Sequence, residues 1–435
     1  MLPRGFQDLL PERAARLRHV ETQLLAVFAR WGFHPVVPPS LEYLDVLTAA
    51  GGRGLQAQMF KFADPLGGQL LAVRPDFTPQ VARIAATRLR EWPKPLRLCY
   101  AGPVVRDVEV HAARPREIFQ AGCELIGLEL PEADAEMIAI VLEALRGLGL
   151  QGFTIDIGQV EFLRGAFEEL PLPPDARRLA EQAVMKKDRS ALEELAATLD
   201  LTRAQRALLV SLPGLYGGPE VLDRARQLAG NPRSRAAVDN LEQVVRILEI
   251  YGLEGALTLD LGELRGFDYY TGIIFEGFVS GAGAALCGGG RYDRLLERYG
   301  PPSPATGFAL DLERLLDALE RQGALQPFAG SDVLIINLRP GKEEALSLAR
   351  QLRAQGFAVA RDIIKRSVQE SIEYAARWRI PRVLVLGLEG VPEDEVVLFH
   401  TGEQGQRRVR LADIFREAEA WRRSGGGEGR WPTSS

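Results

Sequence analysis

LRGFDYYTGIIFE, residues 264–276, followed by GGGRYD at 288–293, is the stretch on which the fold of this chain turns. Tyr269, Tyr270, Thr271, Ile273, Ile274 and Phe275 form a β-branched and aromatic run, which reads as a strand near the centre of a sheet. Arg265 then falls at the start of that strand. Its planar fork suits a carboxylate, and Tyr269 and Tyr270 offer flat walls with a hydroxyl at the rim. Together they equip a pocket for a small zwitterion with an aromatic or heteroaromatic side chain. The same residues equally suit a structural part, an Arg-Asp pair tying a hairpin between half-buried tyrosines.

Working outward, residues 11–30 are amphipathic with helical spacing (Leu17, Val20, Leu24, Leu25, Phe28), and Gly32 supplies a stop. PVVPPSLEYLDVL passes through prolines and then turns helical, and GGRG at 51–54 marks a loop. Strand-like runs follow at 58–62, 69–73, 97–105 and 117–127, with helical patterns outside them. This grouping predicts an α+β domain on an antiparallel sheet, covering 1–160 and 255–325. Residues 161–254 are rich in leucine and alanine at helical spacing and read as a helical insertion into that domain. From Ser331 strands alternate with helices (DVLIINL, FAVARDI, RVLVLGL, EVVLFH), which predicts a compact α/β domain over 331–420 with a mainly parallel sheet. The Gly- and Ser-rich tail, 424–435, reads as disordered.

The chain has 435 residues, room for roughly two to four domains at about 150 residues each. No apolar run approaches the roughly 20 residues a membrane span needs, and the N-terminal MLPRGFQDLLPERAARL lacks the apolar core of a secretory signal, so a cytoplasmic protein is expected. A net charge of −5 argues against a protein whose main work is gripping a polyanion, although a local basic face is compatible with an acidic total. Cys99, Cys123 and Cys287 have no metal-like spacing and read as reduced core residues, and four histidines, at 19, 34, 111 and 400, argue against a zinc site. No metal and no cofactor is expected. GAGAAL at 281–286 is half of a dinucleotide fingerprint without its third glycine, and phosphate-loop, nucleophile-elbow and HExxH motifs do not occur.

Four segments of the sheet domain carry polar residues that a plain core would avoid. In VRPDFTPQVAR, 73–83, Asp76 and Thr78 would share a face of a strand and could receive an ammonium group together; the competing reading is a helix start with a proline in its first turn. In 100–127 two strands flank a loop with Arg106, Arg114 and Arg116, and Gln120 and Glu124 face one side of the return strand. These arginines suit phosphates or carboxylates, or simply solvent. The third segment is the opening stretch. The fourth is ATGFALDLERLL, 305–316, a Gly-led strand or turn entering an amphipathic helix that bears Arg314, which helix capping also explains.

These four segments, in this order, resemble the catalytic domain of class II histidyl-tRNA synthetases, and more closely their paralogues, the regulatory subunits of ATP phosphoribosyltransferase. FKFADPLGGQLLAVRPDFTPQVAR, RLCYAGPVVR, LPGLYGGPEVLD and DLGELRGFDYYTGIIFE carry the closer likeness, which spans nearly the whole chain. The resemblance implies a class II synthetase-like antiparallel sheet domain followed by an anticodon-binding-like α/β domain. It also implies an L-histidine pocket, with Asp76 and Thr78 on the amino group, and Gln120 and Glu124 near the amino group and imidazole. Arg265 would approach the carboxylate, Tyr269 and Tyr270 would wall the ring, and Arg106 and Arg314 would stand at the motif 2 and motif 3 arginine positions. Val108 and Asp311 depart from the synthetase pattern where an acidic residue and a glycine help hold ATP. That departure implies a regulatory subunit that is not itself a catalyst. Its implied partners are the short-form catalytic subunit of ATP phosphoribosyltransferase and a second copy joined through motif 1, residues 12–45, with tRNA not expected as a ligand. An active histidyl-tRNA synthetase and a stand-alone histidine or tRNA sensor are the alternatives.

Overall fold

The computed structural model describes residues 1–50, 56–107, 115–263, 270–325, 330–364, 366–402 and 405–424. Residues group into two compact units, one of 1–8 and 20–324 and the other of 9–19 and 325–435. The first expected helix is present as Pro11–Arg30. The loop read at 51–54 and all but the first residue of the tail read at 424–435 lie outside the described residues.

Among the described residues of the first unit, the frame is a nine-stranded sheet. Its order is His34–Pro35, Leu96–Val105, Glu117–Ile126, Ala305–Asp311, Cys287–Arg291, Ile273–Val279, Phe153–Gln159, Leu257–Asp260 and Tyr216–Gly217. The long hairpin Leu96–Val105 with Glu117–Ile126 pairs from Leu96 opposite Ile126 to Val105 opposite Glu117. The strand expected over 269–275 is central as expected but begins later, at Ile273–Val279, with residues 270–272 ahead of it, and is held by Phe153–Gln159 on one side and Cys287–Arg291 on the other. The sheet is antiparallel except at two pairings, His34–Pro35 with Leu98–Cys99 and Ile155–Ile157 with Leu257–Leu259. Glycines in CGGGR let large neighbours close over the strand: a Cβ on Gly289 would come within 2.7 Å of both the Phe275 ring and the Phe308 Cβ. Helices Pro131–Gly147 and Leu312–Arg321 pack on this sheet and bury Ile138, Val141, Leu145, Leu315 and Leu319.

Residues 160–250 are mainly helical: Val160–Glu168, Pro174–Met185, Arg189–Ala197, Arg203–Ser211, Glu220–Leu228 and Pro232–Ile250. They are not exclusively so. Tyr216–Gly217, inside the LPGLYGGPE segment, pairs with Leu259–Asp260 and forms one edge strand of the sheet. A separate three-stranded sheet joins Leu41–Tyr43, Leu70–Val73 and Lys61–Ala63.

In the second unit the described strands run in the order Val359–Arg361, Val333–Asn337, Arg382–Leu386, Glu395–His400 and Gln406–Arg410. The expectation of a mainly parallel sheet is corrected, because the last two pairings are antiparallel. QRRVR was not read as a strand. Its charged side chains hide the alternation, and only Val409 points into the core. The helix Ile414–Ser424, also unread, seats Ile414, Ala418 and Trp421 against Val333, Leu384 and Leu398.

Candidate functional site

The site grows from the return strand of the long hairpin. Side chains alternate along a strand, so residues four apart face one side, and Gln120 and Glu124 do, at 7% and 1% exposure. Over them lies the start of helix Thr78–Thr87, with Pro79 in its first turn. The strand reading of Asp76 and Thr78 is thereby corrected: proline cannot continue a ladder, and the helix-start reading is the one realised. The two residues nevertheless work together. Thr78 N–H donates to Asp76 Oδ1 (3.3 Å), and Thr78 Oγ1 donates to Glu124 Oε1 (2.7 Å).

Glu124 gathers two more hydroxyls, from Tyr100 (3.2 Å) and from Tyr292. Tyr100 is braced by the Phe77 ring, stacked at 4.4 Å. Complete burial pushes the Glu124 carboxyl up to about 8, a rise that the hydroxyl donors oppose and the charge of Asp76 reinforces. Burial likewise raises the Tyr270 phenol, with the charges of Asp76 and Glu124 adding to the effect.

Above this base opens a cleft of about 270 Å³, lined by Asp76, Thr78, Arg106, Gln120, Tyr270, Glu276, Tyr292, Asp311 and Arg314, with Gly288, Gly289 and Gly307 among its walls. The Gln120 amide oxygen is buried with no hydrogen-bond partner among the described residues, an acceptor that a ligand N–H would satisfy. Arg106 Nε donates to the Pro75 carbonyl (2.9 Å). Asp311 caps helix Leu312–Arg321 by accepting from the Arg314 N–H (3.1 Å), and its other oxygen pairs with Arg314 Nε (3.1 Å). Arg314 Nη1 also donates to the carbonyl of Ala285, in the GAGAAL segment (2.8 Å). Beyond Tyr270 a second cavity of about 250 Å³ is bordered by Asp156, Asp260, Glu263 and Glu276, so Tyr270 and Glu276 line both.

Asp76, Thr78, Arg106, Gln120, Glu124 and Tyr270, expected around the ligand, therefore meet, and Asp311 and Arg314 line the same cleft. Arg265, Tyr269 and Val108 lie outside the described residues. Tyr100 and Tyr292 were missed as partners of Glu124. Tyr292 had a signal, the Arg-Tyr-Asp cluster after the glycines, whereas Tyr100 reads in sequence as an ordinary strand aromatic. The flanking Arg291 is structural: it pairs with buried Asp134 (2.9 Å) and with Asp293 (3.2 Å). No group of three or more His, Cys, Asp or Glu among the described residues is placed to hold a metal ion, and the three cysteines are free and buried.

A mixed sheet with this cleft, followed by a separate α/β unit, defines a protein of the histidyl-tRNA synthetase class. Residues 5–315 match the family described as Histidyl-tRNA synthetase, and residues 332–421 match the Anticodon binding domain. The crystal structure of histidyl-tRNA synthetase from Nostoc sp. PCC 7120 superposes with a TM-score of 0.81 over 97% of this chain and 99% of that one, at 23% identity, a likeness of fold. A Bacillus halodurans structure described as an ATP phosphoribosyltransferase regulatory subunit/histidyl-tRNA synthetase gives a TM-score of 0.78 at 30% identity, over 86% of this chain and 96% of that one. Sequence relatives are more specific. The ATP phosphoribosyltransferase regulatory subunit of Syntrophotalea carbinolica is 52% identical over 389 residues, 89% of this chain and 90% of that protein. Its counterpart in Geobacter sulfurreducens is 46% identical over 416 residues, 96% and 95% of the two chains. The chain belongs to the ATP phosphoribosyltransferase regulatory subunit family.

Proposed function

We propose that the chain is a non-catalytic subunit that binds the short catalytic chain of ATP phosphoribosyltransferase, supports the first step of histidine biosynthesis, and senses L-histidine in the cleft. The observation that carries this reading is the 52% identity, over 89% of the chain, to a protein named as that regulatory subunit. The chemistry of the cleft agrees with it. An α-ammonium group fits the corner of Asp76 and Thr78, Gln120 offers its unsatisfied oxygen, and the imidazole reaches toward Glu124 with Tyr270 and Tyr269 as walls. Arg265 clamps the carboxylate. Regulation then follows from linkage: histidine that binds one quaternary state better than another shifts the equilibrium between them, and a few kcal/mol of difference suffices.

The absence of catalysis rests on the two ATP-site departures. Valine at position 108 cannot accept a hydrogen bond from a nucleotide. Asp311 brings a carboxylate to the cleft and holds Arg314 in an ion pair, which opposes the use of that arginine on a phosphate. A homodimer through motif 1 draws support from the three-stranded sheet. Leu41, Tyr43 and Phe62 stand on one face in register with Val73 and Leu71, and remain 42%, 48% and 40% exposed. Apolar faces of this kind mark interfaces.

The match of residues 332–421 to an anticodon-binding domain favours a second reading, a working synthetase. Incubation with histidine, ATP and labelled pyrophosphate separates the two. The regulatory reading expects no histidine-dependent exchange, and exchange at an enzyme-like rate would overturn it. Calorimetric titration with L-histidine, alone and with the catalytic chain, checks the ligand: saturable binding is expected, and a flat titration in both conditions contradicts the pocket assignment.

A further inference from the structure

The first helix of the helical segment reaches into the wall of the cleft. Val160–Glu168 starts where strand Phe153–Gln159 ends, and the Val160 N–H donates to the Gly272 carbonyl (3.0 Å). One turn further on, Arg164 folds back over its own helix start. Its Nη2 donates to the Tyr270 carbonyl (2.9 Å) while its Nη1 pairs with Glu161. Glu161 is shared: its other oxygen accepts from Arg233 Nε (2.5 Å), on helix Pro232–Ile250, and Arg233 also pairs with Glu168. An unbroken chain of charged contacts thus runs from the last helix of the segment to the backbone of Tyr270. These two helices approach closely, since a Cβ on Gly165 would lie 2.8 Å from the Ser234 nitrogen.

The residue after Tyr270 is fixed from the sheet side. Thr271 N–H donates to the Arg291 carbonyl (2.7 Å), and Thr271 Oγ1 donates to Asp293 (3.1 Å). The ring of Tyr270 rests on a glycine, with its Cδ1 3.0 Å from where a Gly290 Cβ would stand. The residue also packs against the buried cluster that contains Phe77, Tyr100 and Tyr292, so packing holds its side chain while Arg164 and the Thr271 contacts hold its backbone. A second cation of the helical segment holds the strand that precedes the 264–269 segment. Lys187, in the left-handed region at φ 56°, reaches Asp260 (2.5 Å), whose same oxygen accepts from the Gly262 N–H (2.9 Å). A side-chain-bearing residue keeps such a conformation only where surrounding contacts enforce it.

We infer that Arg164 is a positioning residue for the ligand cleft: by holding the Tyr270 carbonyl it sets the aromatic wall and makes ligand affinity depend on the packing of the helical segment. The inference rests on the cleft being the histidine site. Its test compares wild type, Arg164→Met and Arg164→Lys by L-histidine calorimetry and, without ligand, by amide hydrogen exchange. Arg164→Met is expected to weaken histidine about tenfold, the scale of one hydrogen bond to a charged donor. It should also speed exchange at Thr271 while leaving the Leu96–Val105 strand as it was, and Arg164→Lys should recover most of both effects. Wild-type affinity in Arg164→Met, unchanged exchange at Thr271, or equal acceleration in both places would overturn the positioning role. If wild type takes up no histidine, the histidine reading fails, and the exchange comparison alone decides the role of Arg164.

Discussion

Glu124 shows what a single side chain does in this cleft. It is 1% exposed, it accepts from three hydroxyls, and burial pushes its carboxyl from the usual 4.5 up to about 8. A carboxyl with a raised folded-state value stabilises the fold fully below the unfolded value and loses that contribution as pH rises through the folded one. Stability should therefore fall between about pH 4.5 and 8 on account of this group. Melting temperatures across that window should depend less on pH in Glu124→Gln than in wild type; equal slopes would contradict the raised carboxyl. For the ligand, Arg265→Ala should weaken histidine by about 2 kcal/mol or more if the arginine clamps the carboxylate, and calorimetry giving wild-type affinity would remove that role. Much of the site was legible at this scale, because a buried strand that carries Gln and Glu four apart has few structural excuses. Tyr100 was not, since a tyrosine in an apolar strand looks the same whether its hydroxyl meets water or a buried carboxylate.

At the scale of elements, helix starts were the ambiguous places. Asp76-Phe-Thr-Pro admits a strand as well as the favoured helix start until the neighbouring ladder is known, and the structure gives the helix to Thr78. Asp311 is the counterpart at Leu312–Arg321, where the carboxylate caps the helix and pairs with Arg314. Asp311→Ala should cost about 1 kcal/mol in denaturant unfolding, the usual loss for an N-cap side chain, and Asp311→Asn should retain most of it. A cost near zero for the alanine variant would mean that the cap contributes little. The strands 97–105 and 117–127 were readable from β-branched and apolar density, and the first helix from its periodicity. Tyr216–Gly217 and QRRVR were not, because a two-residue edge strand and a charged edge strand owe their pairing to neighbours and not to their own pattern.

At the scale of the whole molecule, the chain combines a histidyl-tRNA synthetase-type sheet unit with a second unit matching the anticodon-binding domain, in a family named for regulation. The motif 1 dimer makes its own prediction. Placing a charge on the exposed sheet face with Tyr43→Glu should shift sedimentation from a dimer toward a monomer, and an unchanged dimer would move the interface elsewhere. The order of elements and the α+β character could be read from the sequence. The mixed pairings could not, since parallel or antiparallel contact is settled by connections that no local pattern records. The central claim, a regulatory subunit that works through a catalytic partner, meets its most direct test in the rate of phosphoribosyl transfer by the short catalytic chain as this protein is titrated in. The rate should rise to a plateau at a fixed ratio of the two chains. A rate that stays flat at every ratio would contradict it.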